Sequence, residues 1–167
     1  MGRYRPPQAK SSTYITPGGF TALQEELESI WKHRATVTKA LAAAAAEGDR
    51  SENAEYIYRK KELREIDRRI RYLQKRLPEL IQVKDGPTDQ GKIFFGAWIR
   101  LEDIEDNESV YRIVGPDETD SHKGYISMDA PLARALMKKS VGDEIRVQTP
   151  GGEHNYYILE ISYIPLT

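Results

Sequence analysis

The chain contains no cysteine, which excludes disulfide bonds and thiolate chemistry. It also has no apolar run that approaches the roughly 18 residues needed to span a membrane. The N-terminal sequence MGRYRPPQAKSS is basic and lacks the apolar segment of a secretory signal. Together these absences predict a soluble cytoplasmic protein.

The common motifs of a self-contained active site are absent as well. The three histidines, His33, His122 and His154, are scattered, and there is no HExxH or Cys/His zinc spacing. Neither a P-loop nor a GxGxxG sequence occurs. The sequence therefore does not predict a protein that carries out catalysis alone.

Charge is divided unevenly along the chain. Residues 1–84 contain 17 Lys and Arg against 11 Asp and Glu, whereas residues 85–167 contain 8 against 15. A basic half joined to an acidic half suggests two partners or two contact surfaces. Chance segregation of solvated charges would give the same pattern.

Two heptad helices are predicted in the basic half. Thr16 and Pro17 form a helix start, and the first helix is expected to run to about Ala46, roughly 45 Å at 1.5 Å per residue. Its seam is interrupted only by Arg34. The apolar residues of that seam are Phe20, Leu23, Leu27, Ile30, Val37, Leu41 and Ala44.

Gly48 suits the end of the first helix, and the second helix follows directly. Pro78 is expected to bend or end this second helix. Helices joined by so short a turn lie antiparallel, which predicts a coiled-coil hairpin over residues 14–84 with its tip at residues 47–52. The second seam consists of Tyr56, Leu63, Ile66, Ile70, Leu73, Leu77 and Leu80.

Small side chains surround the predicted tip. Ala42 to Ala46 and Ala54 would let the two helices approach closely, giving a slim arm. Alanine is also the strongest helix former, and both explanations can hold.

The acidic half is predicted to be a compact antiparallel α+β domain over residues 85–167, and residues 1–13 a flexible tail. Pro150-Gly151-Gly152 is a hairpin turn, and a short helix is expected over residues 131–139. Segments rich in Ile, Val, Phe, Tyr and Trp predict strands over residues 93–104, 109–114, 124–128, 144–149 and 155–164.

Asp49 and Glu52 are the candidate chemical residues. Asp49 is predicted to cap the second helix, and a spacing of three places both carboxylates on one face of its first turn. Two carboxylates can share a hard cation such as Mg²⁺, but they hold it weakly, so the pair suits a metal site completed by another molecule. The same spacing fits a capping box, and the residues alone leave both interpretations open.

A run of Lys and Arg follows the tip. Some of these residues recur at intervals of three and four and could contact a phosphate backbone or an acidic channel wall, although a solvated helix face would have the same pattern. Tyr56 and Tyr58 could stack on a base, though Tyr56 is more simply a seam residue. The basic residues are Arg59, Lys60, Lys61, Arg64, Arg68, Arg69, Arg71, Lys75 and Arg76.

Several motifs, taken in order, resemble those of the Gre transcript cleavage factors of bacterial RNA polymerase. GDRSENAEY and REIDRRIRYL are similar to the family's hairpin tip and second helix. KIFFGAW, YRIVGPDE, YISMDAPLARALMKK, VGDEIRV and TPGGE are similar to its C-terminal domain. The resemblance runs from about Tyr14 to Ile164, and FFGAW and DRSENAEYIY are closer to the GreB branch than to the GreA branch.

This resemblance implies a monomeric accessory factor and not an independent enzyme. The coiled coil would enter the secondary channel of the polymerase. Asp49 and Glu52 align with the family's two tip acids, which help to hold the second Mg²⁺ of the polymerase active site and to activate a water. The polymerase then hydrolyses backtracked nascent RNA. The free protein is not expected to bind Mg²⁺ stably.

The resemblance also implies that the C-terminal domain is FKBP-like and docks on the rim of the channel. The family's docking loop aligns with Ser127 to Pro131, so Asp129, Ala130 and Pro131 are the expected docking residues. Family members often have Ser where this chain has Ala130, which removes one hydrogen-bonding group from the loop.

Two other functions fit parts of the sequence. One is a channel-binding regulator of initiation, or an inhibitor, that does not stimulate cleavage; the intact acid pair argues against it. The other is a generic RNA-binding coiled coil, which the acidic C-terminal half disfavours.

Overall fold

A computed structural model describes residues 9–48 and 52–167. The chain divides into two compact units. One is Gly18–Leu80, and the other combines the described residues up to Pro17 with Ile81–Thr167. No helix in this described part of the chain is long and apolar enough to cross a membrane.

Unit Gly18–Leu80 is a helical hairpin. Helix α1 spans Pro17–Ala45 and helix α2 spans Ala54–Arg76. Contacts between them join early residues of α1 to late residues of α2, as in the ion pair of Glu26 with Arg69, so the helices are antiparallel. The hairpin predicted from the heptads is therefore confirmed.

The apolar seam holds the two helices together. Val37 of α1 packs with Ile66 and Ile70 of α2, and all three are buried. Leu27, Ile30 and Leu63 pack around this cluster, as the heptad spacing predicts. Helix α2 ends at Arg76 because Pro78 cannot continue it, and a 3₁₀ turn follows at Leu77–Glu79.

The other unit contains a five-stranded sheet. Its strands are β3 (Trp98–Asp103), β4 (Glu108–Val114), β5 (Tyr125–Ser127), β6 (Glu144–Thr149) and β7 (Gly152–Ser162), in the order β5-β4-β3-β7-β6. Helix α3 spans Pro131–Leu136 and buries Ala133 and Leu136 in the sheet's core. The predicted α+β class is confirmed.

Two details of this unit differ from the sequence-based expectation. The β4–β5 pairing is parallel, because the chain between these strands crosses over through a 3₁₀ turn at Pro116–Glu118 instead of a hairpin. Strand β3 begins at Trp98 and not at Ile93, because Phe94 to Ala97 form a turn in which Gly96 has a φ of 87°.

The segment before α1 belongs to the sheet unit and not to the hairpin. Strand β1 (Tyr14–Ile15) pairs in parallel with β2 (Ile81–Gln82), and the Ile15 side chain is fully buried. Ser12 and Thr13 are the last two residues of the tail predicted over residues 1–13. Both residues are hydrogen-bonded within this unit.

Candidate functional site

Asn53 closes the end of the hairpin. Its Oδ1 accepts a 3.0 Å hydrogen bond from the backbone N–H of Tyr56, which makes it the N-cap of α2. Its Nδ2 donates a 2.7 Å hydrogen bond to the carbonyl oxygen of Ala44 in the last turn of α1. One side chain therefore satisfies a backbone group at the end of each helix.

The prediction that Asp49 caps α2 is wrong, because Asn53 occupies that position. Asp49 itself lies outside the described residues. Glu52 precedes the cap in a turn and is not in the first turn of α2, so a capping box formed by these two acids is excluded.

The Glu52 side chain is exposed. Within the described residues it makes no hydrogen bond or ion pair. Because Asn53 makes the helix cap, the Glu52 carboxylate can reach a partner without disturbing that cap. Gly48, three residues after the end of α1, has a φ of 126°, which suits glycine at the end of a helix.

The described residues do not form a metal site by themselves. Among residues 9–48 and 52–167 there is no group of three or more His, Asp or Glu that could hold a metal ion. Glu52 offers a hard oxygen ligand of the kind Mg²⁺ prefers, and Asp49 would add a second. This donor set fits a cation whose remaining ligands come from another molecule.

Three of the basic residues after the tip are held by internal acids. Arg59 donates hydrogen bonds to Glu55 and Glu62, at 2.8 and 2.9 Å, and these bonds raise its pKa. The Nε and Nη2 atoms of Arg69 donate hydrogen bonds to the two carboxylate oxygens of Glu26, at 2.7 and 2.9 Å. Arg76 is buried, and its Nη1 lies 3.9 Å from Oε2 of Glu79.

The remaining basic residues of α2 include one exposed row, whose members form no ion pair with an acid among the described residues. Its members follow intervals of three and four and so share one face of the helix over about 21 Å at 1.5 Å per residue. We call it the basic row: Lys61, Arg64, Arg68, Arg71 and Lys75. Lys60 is outside it, and its ammonium lies 5.8 Å from the Tyr56 ring.

The two tyrosines near the tip differ in accessibility. Tyr56 is half-buried, whereas Tyr58 is 59% exposed with the Arg59 guanidinium 5.4 Å from its ring centre. Tyr58 is therefore the better placed of the two to stack on a base. Ile57, which no sequence motif singled out, is 54% exposed beside it. Ile57 lies outside the heptad seam, and a residue at such a position is expected to have an exposed side chain.

The expected docking residues lie at the start of α3 in the sheet unit. Asp129 is half-buried, and its carboxylate accepts hydrogen bonds from the backbone N–H of Ser12, at 2.8 Å, and from the Ser12 hydroxyl. Ala130 is the N-cap of α3 and provides no side-chain cap. Pro131 is the exposed first residue of the helix. Ser12 carried no sequence signal, because it is 117 residues from Asp129.

Both halves of the chain match families of transcription factors. The family described as "Transcription elongation factor, N-terminal" matches residues 13–81, which include the hairpin with its acidic tip. The family described as "Transcription elongation factor, GreA/GreB, C-term" matches residues 88–163. The chain belongs to the GreA/GreB family of transcription elongation factors, and the resemblance stated from its motifs is confirmed.

Two relatives named GreB agree with this assignment. The transcription elongation factor GreB of Xanthomonas axonopodis pv. citri (strain 306) is 55% identical over 168 residues, covering 99% of this chain and 100% of the relative. The factor of the same name from Yersinia pestis is 56% identical over 155 residues, covering 92% and 91%. A crystal structure of the GreA factor homolog 1 (Gfh1) protein of Thermus thermophilus matches 90% of this chain and 99% of that protein, at 23% identity and a TM-score of 0.42.

Proposed function

We propose that this transcription elongation factor inserts the tip of its helical hairpin into the secondary channel of bacterial RNA polymerase. There it stimulates the polymerase's own Mg²⁺-dependent cleavage of backtracked nascent RNA and so rescues arrested complexes. The chain acts as an accessory factor, because the chemistry takes place in the polymerase active site. Its partners are the polymerase and the extruded RNA.

The observation that carries this proposal is the separation of the helix cap from the acids. Asn53 makes the cap and bonds both helices, while Glu52 is exposed ahead of it. The competing structural role for the acid pair, a capping box, is therefore removed. This supports a role for these carboxylates outside the hairpin.

Asp49 and Glu52 would hold a Mg²⁺ ion jointly with the polymerase, and this ion would polarise the attacking water. Two carboxylates alone bind such an ion weakly, so the site would form when the hairpin is in place and disappear when it leaves. The hairpin thus makes cleavage conditional on its own presence. The small residues before the tip, including the buried Ala44, allow a narrow end.

The basic row supports the RNA part of the proposal. Its five side chains are exposed, unlike the neighbouring Arg59 and Arg69, which are held by Glu55, Glu62 and Glu26. Exposed cations at helical spacing would attract the phosphates of the extruded strand. Tyr58 would add a stacking surface for a base near the tip.

Docking is assigned to the other unit. Asp129, Ala130 and Pro131 would contact the rim of the channel and hold the factor while the hairpin is inserted. Asp129→Arg or Pro131→Ala is therefore expected to weaken polymerase association, and an unchanged affinity would show that the contact lies elsewhere.

The test is cleavage of RNA in a defined backtracked complex with Mg²⁺, measured beside polymerase binding. Asp49→Ala and Glu52→Ala should each keep the affinity for polymerase and lose cleavage. Glu47→Ala is the matched control, because Glu47 is an exposed acid in the turn after α1 and lies outside the pair. This variant should cleave normally. Full cleavage by either pair variant would overturn the proposal. Binding without cleavage by the wild-type chain would instead favour a channel-binding regulator or inhibitor.

A further inference from the structure

Ser12 and Asp129 form a two-point contact across the sheet unit. The backbone N–H of Ser12 donates to one carboxylate oxygen of Asp129, and the Ser12 hydroxyl donates to the other. Both oxygens are therefore engaged by one residue, which fixes the plane of the carboxylate as well as its position.

The backbone that presents Ser12 is itself firmly held. The carbonyl oxygen of Thr13, the next residue, accepts a 2.8 Å hydrogen bond from Ile81, and that of Ile15 accepts a 2.9 Å bond from Val83. The Ile15 side chain has no exposed surface. The carboxylate of Glu118 accepts hydrogen bonds from both the backbone N–H and the hydroxyl of Thr16, repeating the Ser12 pattern four residues later.

Close packing secures the same segment from the side. A Cβ placed on Gly115 would lie 2.0 Å from the carbonyl oxygen of Tyr14, so the chain passes where only glycine leaves room. Ser12 therefore lies directly before a segment that hydrogen bonds and close packing hold in place.

Asp129 is also held from its own loop. Its backbone N–H donates a 3.0 Å hydrogen bond to the Ser127 hydroxyl, and the Ala130 N–H donates a 2.9 Å bond to the Ser127 carbonyl oxygen. A carboxylate has about four acceptor positions, and Ser12 uses one on each oxygen.

We propose that Ser12 is a positioning residue for polymerase docking, which acts by holding the Asp129 carboxylate in the orientation that a donor on the polymerase meets. This inference rests on the proposed function, in which Asp129 contacts the polymerase. A carboxylate ordered in advance loses less rotational freedom on binding, and the affinity rises accordingly. The partner group is a hydrogen-bond donor or a cation.

The experiment measures the affinity of the full chain for polymerase, by competition against a labelled wild-type chain. Ser12→Ala should weaken binding roughly 2- to 12-fold, the range for the ordering of one side chain. Ser12→Thr keeps the hydroxyl and should restore the affinity. Ser11→Ala should leave it unchanged, because Ser11 is an exposed serine next in sequence.

A double variant separates positioning from general structure. In the Asp129→Ala background, Ser12→Ala should have no further effect, because its target is gone. An equal loss in that background would overturn the inference. Tighter binding by Ser12→Ala would overturn it too, since the segment would then compete with the polymerase for Asp129. Thermal unfolding of each variant checks that the unit remains folded.

The same set of variants distinguishes this inference from the proposed function. If Asp129→Ala weakens binding and Ser12→Ala does not, only the positioning role fails. If Asp129→Ala binds like the wild type, the proposed docking contact fails and the positioning role fails with it, whereas the cleavage assay on Asp49 and Glu52 remains a separate test.

Discussion

Arg34 and Asp67 form a polar contact across the apolar seam of the hairpin. The Arg34 Nε donates a 2.7 Å hydrogen bond to Oδ1 of Asp67, and the two side chains are 35% and 33% exposed. The contact raises the pKa of Arg34. A polar residue at a seam position fixes the register of paired helices, because any other alignment leaves it without its partner.

This pair predicts an asymmetric mutational response. Asp67→Ala should lower the urea midpoint, because Arg34 then remains at the seam without its carboxylate. Adding Arg34→Leu should return the midpoint to the wild-type value or above, because leucine continues the seam of Ile30 and Val37. Far-UV circular dichroism during urea unfolding measures this. A double variant less stable than Asp67→Ala alone would contradict the explanation.

The double role of Asn53 predicts a graded loss of stability. Asn53→Ala removes the cap of α2 and the bond to Ala44 and should cost about 1–3 kcal/mol of unfolding free energy. Asn53→Asp keeps an acceptor for the Tyr56 N–H but has no donor for Ala44, so it should cost about 0.5–1.5 kcal/mol. An unchanged stability of Asn53→Asp, measured by chemical denaturation, would show that the contact with Ala44 contributes nothing.

The basic row predicts a salt effect on RNA cleavage. If the basic row contacts the RNA as proposed, replacing Arg64, Arg68 and Arg71 together by alanine should slow cleavage and reduce the slope of log rate against log salt by roughly 2, because three phosphate contacts to a single strand would be lost. Arg69→Ala is the control, since Glu26 already engages its guanidinium. If the control changes the slope as much as one residue of the row does, the row is not the RNA contact.

Glu62 predicts an acid-dependent loss of hairpin stability. Desolvation acts to raise its pKa, but hydrogen bonds from Arg59 and His33 outweigh it, so the pKa lies below its ordinary value of 4.5. The carboxylate therefore stabilises the folded hairpin fully above 4.5, and this stabilisation is lost as the pH falls through the lowered folded value.

The measurement compares thermal unfolding of the wild type and Glu62→Gln across pH. The wild type should have the higher midpoint at neutral pH, and the difference should vanish well below pH 4.5, where Glu62 is protonated in both folded and unfolded chains. A difference that does not depend on pH would assign the effect to packing and not to charge.

Ala130 predicts a simple stabilising substitution. Its backbone has φ −67° and ψ 148°, the extended geometry of an N-cap, but alanine offers no acceptor to the first N–H groups of α3. Ala130→Ser should raise the free energy of unfolding by about 0.5–1 kcal/mol. Ala130→Val enlarges the side chain without adding an acceptor oxygen, so it should not raise the free energy of unfolding. Chemical denaturation distinguishes them.

The sequence predicted those features that depend on local periodicity. Val37, Ile66 and Ile70 are buried where the heptads placed them, and β6 has the bounds expected from its composition. In both cases the pattern repeats within a few residues, so each position is supported by its neighbours.

The features it missed depend on distant partners. Asp and Asn both favour the N-cap position, so residue type alone does not separate Asp49 from Asn53. Asn53 is the observed cap, and its side chain also donates a hydrogen bond to Ala44, nine residues earlier. The contact between Ser12 and Asp129 joins residues 117 apart. Neither distance leaves a periodic signal in one sequence.

Asn53 has a consequence for how the tip can change during evolution or design. Because this side chain serves the ends of both helices, the sequence from Glu47 to Glu52 does not have to supply a helix cap. Folding and the proposed chemistry are therefore assigned to different residues. The hairpin should therefore keep its fold when the acids of the tip are replaced by other groups, provided that Asn53 is kept.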